Sequence, residues 1–185
     1  MKPRILVVVL VSFLVLAMLA APAFAQGGLF DGQRKGFILG GGLGGVYLFW
    51  PGYGGDRQNL AFTSNFKVGY APSNSFEVYF TNPLSFYMDD QEPYLIGATC
   101  VGVTKYLKPE GKGVFLCGGI GVTSYWLLEA GSPSYQDHPF DGFGAFGGIG
   151  YDIGKHWYIQ ADLLYTNVEF GPKWGFRLTL NTLAF

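Results

Sequence analysis

The feature that most constrains this chain is the alternation of large and small side chains between residues 142 and 166. Successive side chains of a strand point to opposite faces, so every second residue shares a surface. One face of this stretch is apolar. The other consists mainly of glycine and polar residues, with Phe146 and Leu164 as exceptions. With a turn at Gly154-Lys155-His156, the pattern predicts a β-hairpin that belongs either to a soluble sandwich or to the wall of a membrane barrel.

The N-terminus predicts export. Lys2 and Arg4 precede an apolar run over residues 5–21, and Ala23-Phe24-Ala25 has the small-x-small pattern of a cleavage site. We therefore expect residues 1–25 to be a cleaved signal peptide and residues 26–35 to be a short N-terminal tail. An uncleaved membrane anchor is the alternative, because the apolar run is a little long for a signal core.

Composition favours the membrane wall over the soluble sandwich. The chain contains 29 Gly, 17 Phe, 12 Tyr and 4 Trp, and nearly all of them follow residue 25. No later apolar run approaches the roughly 20 residues that a membrane-spanning helix needs. An exported chain of this kind is typical of transmembrane β-barrels, whose strands satisfy one another's backbone hydrogen bonds in lipid. No basic tract is present, so nucleic acid is not expected as a partner.

The alternating segments number eight, and long and short connections follow one another between them. The predicted strands are 36–50, 59–71, 76–81, 94–107, 114–127, 142–153, 157–166 and 174–185. The long connections are 51–58, 82–93, 128–140 and 167–173, and the short ones are 72–75, 108–113 and 154–156.

Outer-membrane barrels have even strand numbers, short periplasmic turns and longer outer loops. We therefore predict an all-β fold, with residues 36–185 forming an eight-stranded antiparallel up-and-down transmembrane β-barrel in the cell outer membrane. A soluble lipocalin-like barrel is the alternative fold. The outward position of the large side chains argues against it.

Aromatic residues cluster near the predicted strand ends, where barrels carry girdles at the two lipid interfaces. The predicted girdle consists of Trp50, Tyr70, Tyr94, Tyr106, Trp126, Trp157, Tyr165 and Trp174, with Phe76 beside them.

Charged residues on the small, inward parity predict a network inside the lumen. Its members are Lys67, Glu77, Asp152, Asp162 and Arg177. Because an isolated buried charge is very costly, we expect pairs, Arg177 with Asp162 and Lys67 with Glu77. The network is read either as a satisfied polar plug or as the lining of a charged path, and the narrow interior of eight strands favours the plug.

Two cysteines, Cys100 and Cys117, lie on neighbouring predicted strands with inward parity. The compartment outside the inner membrane permits disulfides, so a bond between them is one expectation. The most natural turn places Cys100 beside Gly121, and two buried free thiols are then the alternative.

The chain resembles the small eight-stranded outer-membrane barrels, such as the transmembrane domain of outer-membrane protein A. The resemblance is carried by the glycine-rich first strand, by GGIGYDIGKHWYIQADLLY (147–165) and by the terminal Phe185. It implies insertion by the barrel-assembly machinery, with Phe185 as the assembly signal. The last strand departs from the family pattern, because Leu180 and Phe185 lie on opposite parities. A β-bulge near Asn181 and Thr182 would reconcile them.

Catalysis and metal binding find little support. His138 lies in a predicted loop and His156 in a predicted turn, so neither has a placed nucleophile and orienting acid. We expect no cofactor and no metal.

The function that we expect is a structural or surface-interaction role for a monomer whose partners are outer-membrane lipid and lipopolysaccharide. A narrow pore for small solutes is the alternative, and a lipid-modifying enzyme is the third reading.

Overall fold

A computed structural model describes residues 34–51, 57–89, 92–127, 142–168 and 171–185. The predicted signal peptide, residues 1–25, and the tail before Arg34 lie outside the described residues. Within them, no helix is long and apolar enough to cross a membrane. The strands are β1 (Gly36–Trp50), β2 (Arg57–Ser73), β3 (Phe76–Thr81), β4 (Leu84–Asp89), β5 (Glu92–Tyr106), β6 (Val114–Leu127), β7 (Phe143–Asp152), β8 (Trp157–Val168) and β9 (Gly171–Ala184).

The nine strands form one closed antiparallel sheet with eight strand positions around the barrel. We call each of these positions a stave. β1 pairs with β2 on one side and with β9 on the other, which closes the ring. β3 and β4 are two halves of the third stave, because each of them pairs with both β2 and β5. The structure thus confirms the predicted eight-stranded antiparallel barrel.

The third stave corrects the predicted loop over residues 82–93. Only Asn82 and Pro83 interrupt it: the Asn82 amide donates to the Phe66 carbonyl at 3.1 Å, and the Pro83 carbonyl accepts from the Ala98 amide at 3.1 Å. Proline and acidic residues resemble a loop in sequence, but pairing on both sides holds them in the wall. The predicted loop over 167–173 is likewise shorter, since β8 ends at Val168 and β9 begins at Gly171.

The two ends of the barrel differ. We call the turn end the one that holds the connections β2–β3, β5–β6 and β7–β8, together with the start of β1 and the end of β9. The loop end holds the connections β1–β2, β4–β5, β6–β7 and β8–β9. Residues 128–142 separate β6 from β7 and form the longest connection in the barrel.

The outer face of the wall is apolar. Large hydrophobic side chains project from it on every stave, and Leu60 is 79 % exposed. Other members of this exposed set are Phe80, Val101, Ile120, Ile149, Leu163 and Leu178. An apolar band around a closed sheet, in which every described strand has a neighbour on both sides, is the arrangement that hydrocarbon requires.

Glycine on the inner face lets neighbouring staves approach closely. A Cβ added to Gly44 would lie 1.9 Å from the Leu178 carbonyl oxygen of β9, a backbone atom that cannot move aside by a rotamer change. A Cβ on the adjacent Gly45, which faces outward, would meet nothing nearer than the Ala61 carbonyl oxygen at 4.0 Å. Packing against β9 therefore requires glycine at three inward positions of β1, namely Gly40, Gly42 and Gly44.

The bulge predicted near Asn181 and Thr182 is wrong. β9 pairs with β1 from Trp174 to Ala184 and with β8 from Gly171 to Thr182, in both cases without a register shift. Parity consequently continues to the end of the strand, so Leu183 and Phe185 share the inward parity of Arg177, although Thr182 and Ala184 on the other parity are buried as well. Phe185 lies on the inward parity, unlike the lipid-facing position that the bulge would have given it.

Replacing Leu163 with Arg should destabilise the protein in a bilayer by about 2–4 kcal/mol, because Leu163 is exposed midway along β8, where the hydrocarbon is deepest. Urea unfolding in phospholipid vesicles measures this cost. The same change at Leu107, exposed just beyond the turn-end terminus of β5, should cost about 0–1 kcal/mol. Equal costs at the two positions would contradict the lipid-facing assignment.

The neighbouring pair Gly44 and Gly45 tests the close approach of β1 and β9. Gly44→Ala should lower the free energy of unfolding by about 1–3 kcal/mol, because its methyl group would overlap the β9 backbone. Gly45→Ala should change it by no more than about 0.5 kcal/mol. If Gly44→Ala left the free energy of unfolding unchanged, β1 and β9 would have to lie farther apart at this position than in the structure.

Candidate functional site

The candidate site is the lumen, the space enclosed by the inward side chains. Its middle holds an ion pair between β2 and β3: Lys67 Nζ donates to Glu77 Oε2 at 2.5 Å. The Lys67 ammonium also lies 3.9 Å from the centre of the Tyr79 ring, and Thr104 donates to the Tyr79 hydroxyl at 3.0 Å. Glu77 is fully buried. Its charge is therefore compensated inside the protein and not by solvent.

A second ion pair lies between β8 and β9. The Arg177 Nε and Nη2 atoms both lie 2.6 Å from Asp162 Oδ1, and Gln160 donates to Asp162 Oδ2 at 2.8 Å. Register explains the contact, because Asp162 and Arg177 are directly paired residues of the ladder. Charge-assisted bonds to both carboxylate oxygens stabilise an anion that has no access to water.

Arg34 closes the turn end of the lumen. Although it precedes β1, its side chain is only 6 % exposed, with Nη2 at 3.2 Å from Asp152 Oδ2 and Nη1 at 3.6 Å from Glu77 Oε1. Its guanidinium lies 4.0 Å from the Tyr106 ring centre and 5.0 Å from that of Phe185. Sequence reasoning missed Arg34, because no periodic signal marks a residue outside the strands.

The loop end is closed by a lysine among aromatic rings. Lys173 Nζ lies 5.1 Å from the Trp50 ring centre and donates to the Tyr87 hydroxyl at 3.2 Å. Tyr87 stacks on Tyr94 with ring centres 5.4 Å apart, and these rings pack beside a small apolar cluster that includes Leu48. A cation over aromatic faces therefore fills each mouth of the lumen.

Aromatic and aliphatic side chains occupy much of the remaining interior, so the expected polar plug is in fact a mixed one. Phe115 lies between Tyr106 and Tyr158, with ring centres 5.0 and 5.4 Å away. Phe146 and Leu164, the two exceptions to the hairpin's small face, are both buried. A space of about 10 Å³ remains among side chains that include Lys67, Phe146, Tyr158 and Arg177. This is about the room of one water molecule.

The two cysteines are free and buried, as the alternative of two free thiols predicted, and the disulfide is wrong. The ladder pairs Cys100 with Gly121 and Cys117 with Thr104. Four residues separate Cys100 from Thr104 on β5, which puts the two sulfurs on levels of the lumen roughly 13 Å apart. A disulfide needs Cα atoms within about 7 Å.

The predicted aromatic girdle divides into two sets. Tyr70 and Trp157 are exposed on the outer face, and Tyr165 and Trp174 lie there too, with ring centres 4.6 Å apart. Phe76 shares the outward parity of β3. The side chain of Trp126 lies outside the described residues. The assignment is wrong for the other three members, whose side chains face the lumen: Trp50, Tyr94 and Tyr106.

Parity explains that correction. Trp50 lies two residues after the buried Leu48, and Tyr106 lies two residues after the buried Thr104. Counting by two along each strand would have placed them inside. Proximity to a strand end alone does not decide which face a ring occupies.

The histidines and acids of the described part of the chain form no metal-binding cluster. Among those residues no group of three His, Cys, Asp or Glu side chains could hold a metal ion. His138 lies outside the described residues, and His156 places Nδ1 2.9 Å from the Leu183 carbonyl oxygen.

The barrel resembles solved structures of small outer-membrane proteins. Ail, the attachment invasion locus protein of Yersinia pestis, solved with the heparin analogue sucrose octasulfate, has a TM-score of 0.55 and 13 % identity over 80 % of this chain and 99 % of that one. Neisserial surface protein A has a TM-score of 0.55 and 11 % identity over 82 % and 98 % of the two chains.

The N-terminal β-barrel domain of Pseudomonas aeruginosa OprF has a TM-score of 0.51 and 13 % identity over 80 % and 98 % of the two chains. No family model and no curated protein sequence matches the chain. At these identities the likeness shows the fold: this chain has the architecture of the small eight-stranded outer-membrane barrels.

Replacing Arg177 with Met should lower the free energy of unfolding by about 3–5 kcal/mol, because Asp162 would keep a buried charge without its cation. The double variant Arg177→Met/Asp162→Leu removes both charges and should recover most of that loss. Chemical unfolding in vesicles measures both, with Lys105→Met, an exposed cation, as the control expected to stay within about 0.5 kcal/mol. A single variant as stable as the control would contradict a desolvated ion pair.

Proposed function

We propose that this protein is a non-conducting wall protein of the outer membrane that acts through its lipid-facing surface and its loops. The observation that carries the proposal is the filled lumen. Buried ion pairs occupy its middle, and a cation over aromatic rings occupies each mouth. Eight staves enclose an interior that side chains can fill, and side chains then occupy the space that a passing solute would need.

Export and insertion belong to the same proposal. Residues 1–25 serve as a cleaved signal peptide, and residues 36–185 are inserted as a monomeric barrel by the barrel-assembly machinery. Phe185 serves as the assembly signal before folding. In the folded barrel its ring is buried, 5.1 Å from the ring of His156.

The loops and the membrane surface supply the partners. We assign the loop end to the outer side, because the longest connection, residues 128–142, belongs to it. Lipopolysaccharide is the lipid that these connections would meet there. Ail, which shares the fold, was solved with a heparin analogue, so a barrel of this architecture can carry a ligand. Catalysis is not part of the proposal, because the lumen groups that could act as base or acid, such as Lys67 and Glu77, are paired with each other.

Single-channel recording in planar bilayers tests the filled lumen. Protein purified from membranes should insert into the bilayer and show no conductance steps. The double variant Phe146→Ala/Tyr158→Ala, which removes two rings beside Lys67 and Arg177, should show discrete conductance steps and so prove that insertion is detectable. Reproducible steps from the unaltered protein would overturn the proposal in favour of a narrow pore lined by the two ion pairs.

A further inference from the structure

The turn end carries a recess that the function proposed above does not use. Its volume is about 850 Å³, and it lies between the β5–β6 and β7–β8 turns. Arg34, Asp152 and Phe185 line it where the lumen mouth ends. The exposed charged residues of its lining are Lys108, Glu110, Lys112 and Lys155, and we call these four residues the rim.

Backbone geometry holds the β5–β6 turn in place. Gly111 has φ +68° and Gly113 has φ +83°, a left-handed conformation that side chains rarely adopt. A Cβ on Gly111 would lie 1.7 Å from the carbonyl oxygen of Asn74, so this turn packs directly on the β2–β3 turn. Lys108 and Lys112 therefore project from a supported turn.

The recess has an excess of positive charge. Its rim carries three exposed lysines and one exposed acid, Glu110. The other acid of the lining, Asp152, already forms an ion pair with Arg34. None of the three lysines forms an ion pair within the described part of the chain. An anion entering the recess would thus meet three ammonium groups and a single exposed carboxylate, an excess of positive charge that attracts it.

One side of the recess is apolar and belongs to the lipid face. Tyr151 and Ile153 line it, and they are 55 % and 53 % exposed. Both share the outward parity of Ile149, farther along the same wall. A ligand that fills the recess would therefore contact the lysines at one end and the hydrocarbon-facing wall at the other.

We infer that the recess binds an anionic phospholipid of the periplasmic leaflet. The phosphate would lie among Lys108, Lys112 and Lys155, and the acyl chains would run along Tyr151 and Ile153. Lysines near a membrane surface attract anionic headgroups, and the adjoining apolar wall favours a lipid over a soluble anion. The inference rests on the proposed orientation, in which the turn end faces the periplasm.

The test measures which lipids stay bound. Protein purified from membranes is exchanged into nanodiscs with equal amounts of phosphatidylglycerol and phosphatidylcholine, and native mass spectrometry counts the lipids that remain on the released protein. The unaltered protein should retain phosphatidylglycerol about tenfold over phosphatidylcholine. The triple variant Lys108→Gln/Lys112→Gln/Lys155→Gln should lose that preference.

The matched control is Lys35→Gln/Lys105→Gln, which removes exposed cations from the same end of the barrel outside the recess. It should keep the preference. An unchanged triple variant, or equal losses in triple variant and control, would overturn the site. Displacement of the retained lipid by millimolar inorganic phosphate alone would overturn the lipid assignment in favour of a phosphate site. The proposed function is tested separately, by the absence of conductance steps after insertion into planar bilayers. Failure of the lipid inference therefore leaves the proposed function intact.

Discussion

The pairing of β1 with both β2 and β9 is the constraint on which the rest of the structure depends. It gives every described strand a neighbour on both sides, and a closed sheet can stand in hydrocarbon because its strands satisfy one another's backbone donors and acceptors. Once the sheet is closed, each side chain of a strand points either to the lipid or to the lumen. The apolar outer face and the small inner face both follow from that division.

Closure at eight staves also determines what the lumen can contain. The interior is narrow, so glycine is required where staves approach, as at Gly44, and larger side chains must share the remaining levels. Three acids of this space each lie beside a cation: Glu77 beside Lys67, Asp162 beside Arg177, and Asp152 beside Arg34. Three cations balance three anions in this set, and aromatic rings share the interior with these ion pairs.

Much of this architecture could be predicted from side-chain alternation, because period 2 assigns faces directly. It identified the wall of β8 and the ladder neighbours Asp162 and Arg177. Properties that arise only from tertiary pairing were not accessible in this way. Asn82 and Pro83 stay in the wall because β2 and β5 hold them, and Arg34 reaches the lumen from outside any strand. Trp50, Tyr94 and Tyr106 differ from the predicted girdle for another reason, because parity and not nearness to a strand end decides which face a ring occupies.

The most direct test of the central claim uses the two native thiols. Cys100 and Cys117 face the lumen on different levels and are 1 % and 8 % exposed. The inserted protein, treated with a water-soluble maleimide and no reductant, should show no labelling, and urea-unfolded protein should take up two labels. Labelling of either cysteine in the folded, inserted barrel would show that water reaches the lumen and would contradict the sealed interior.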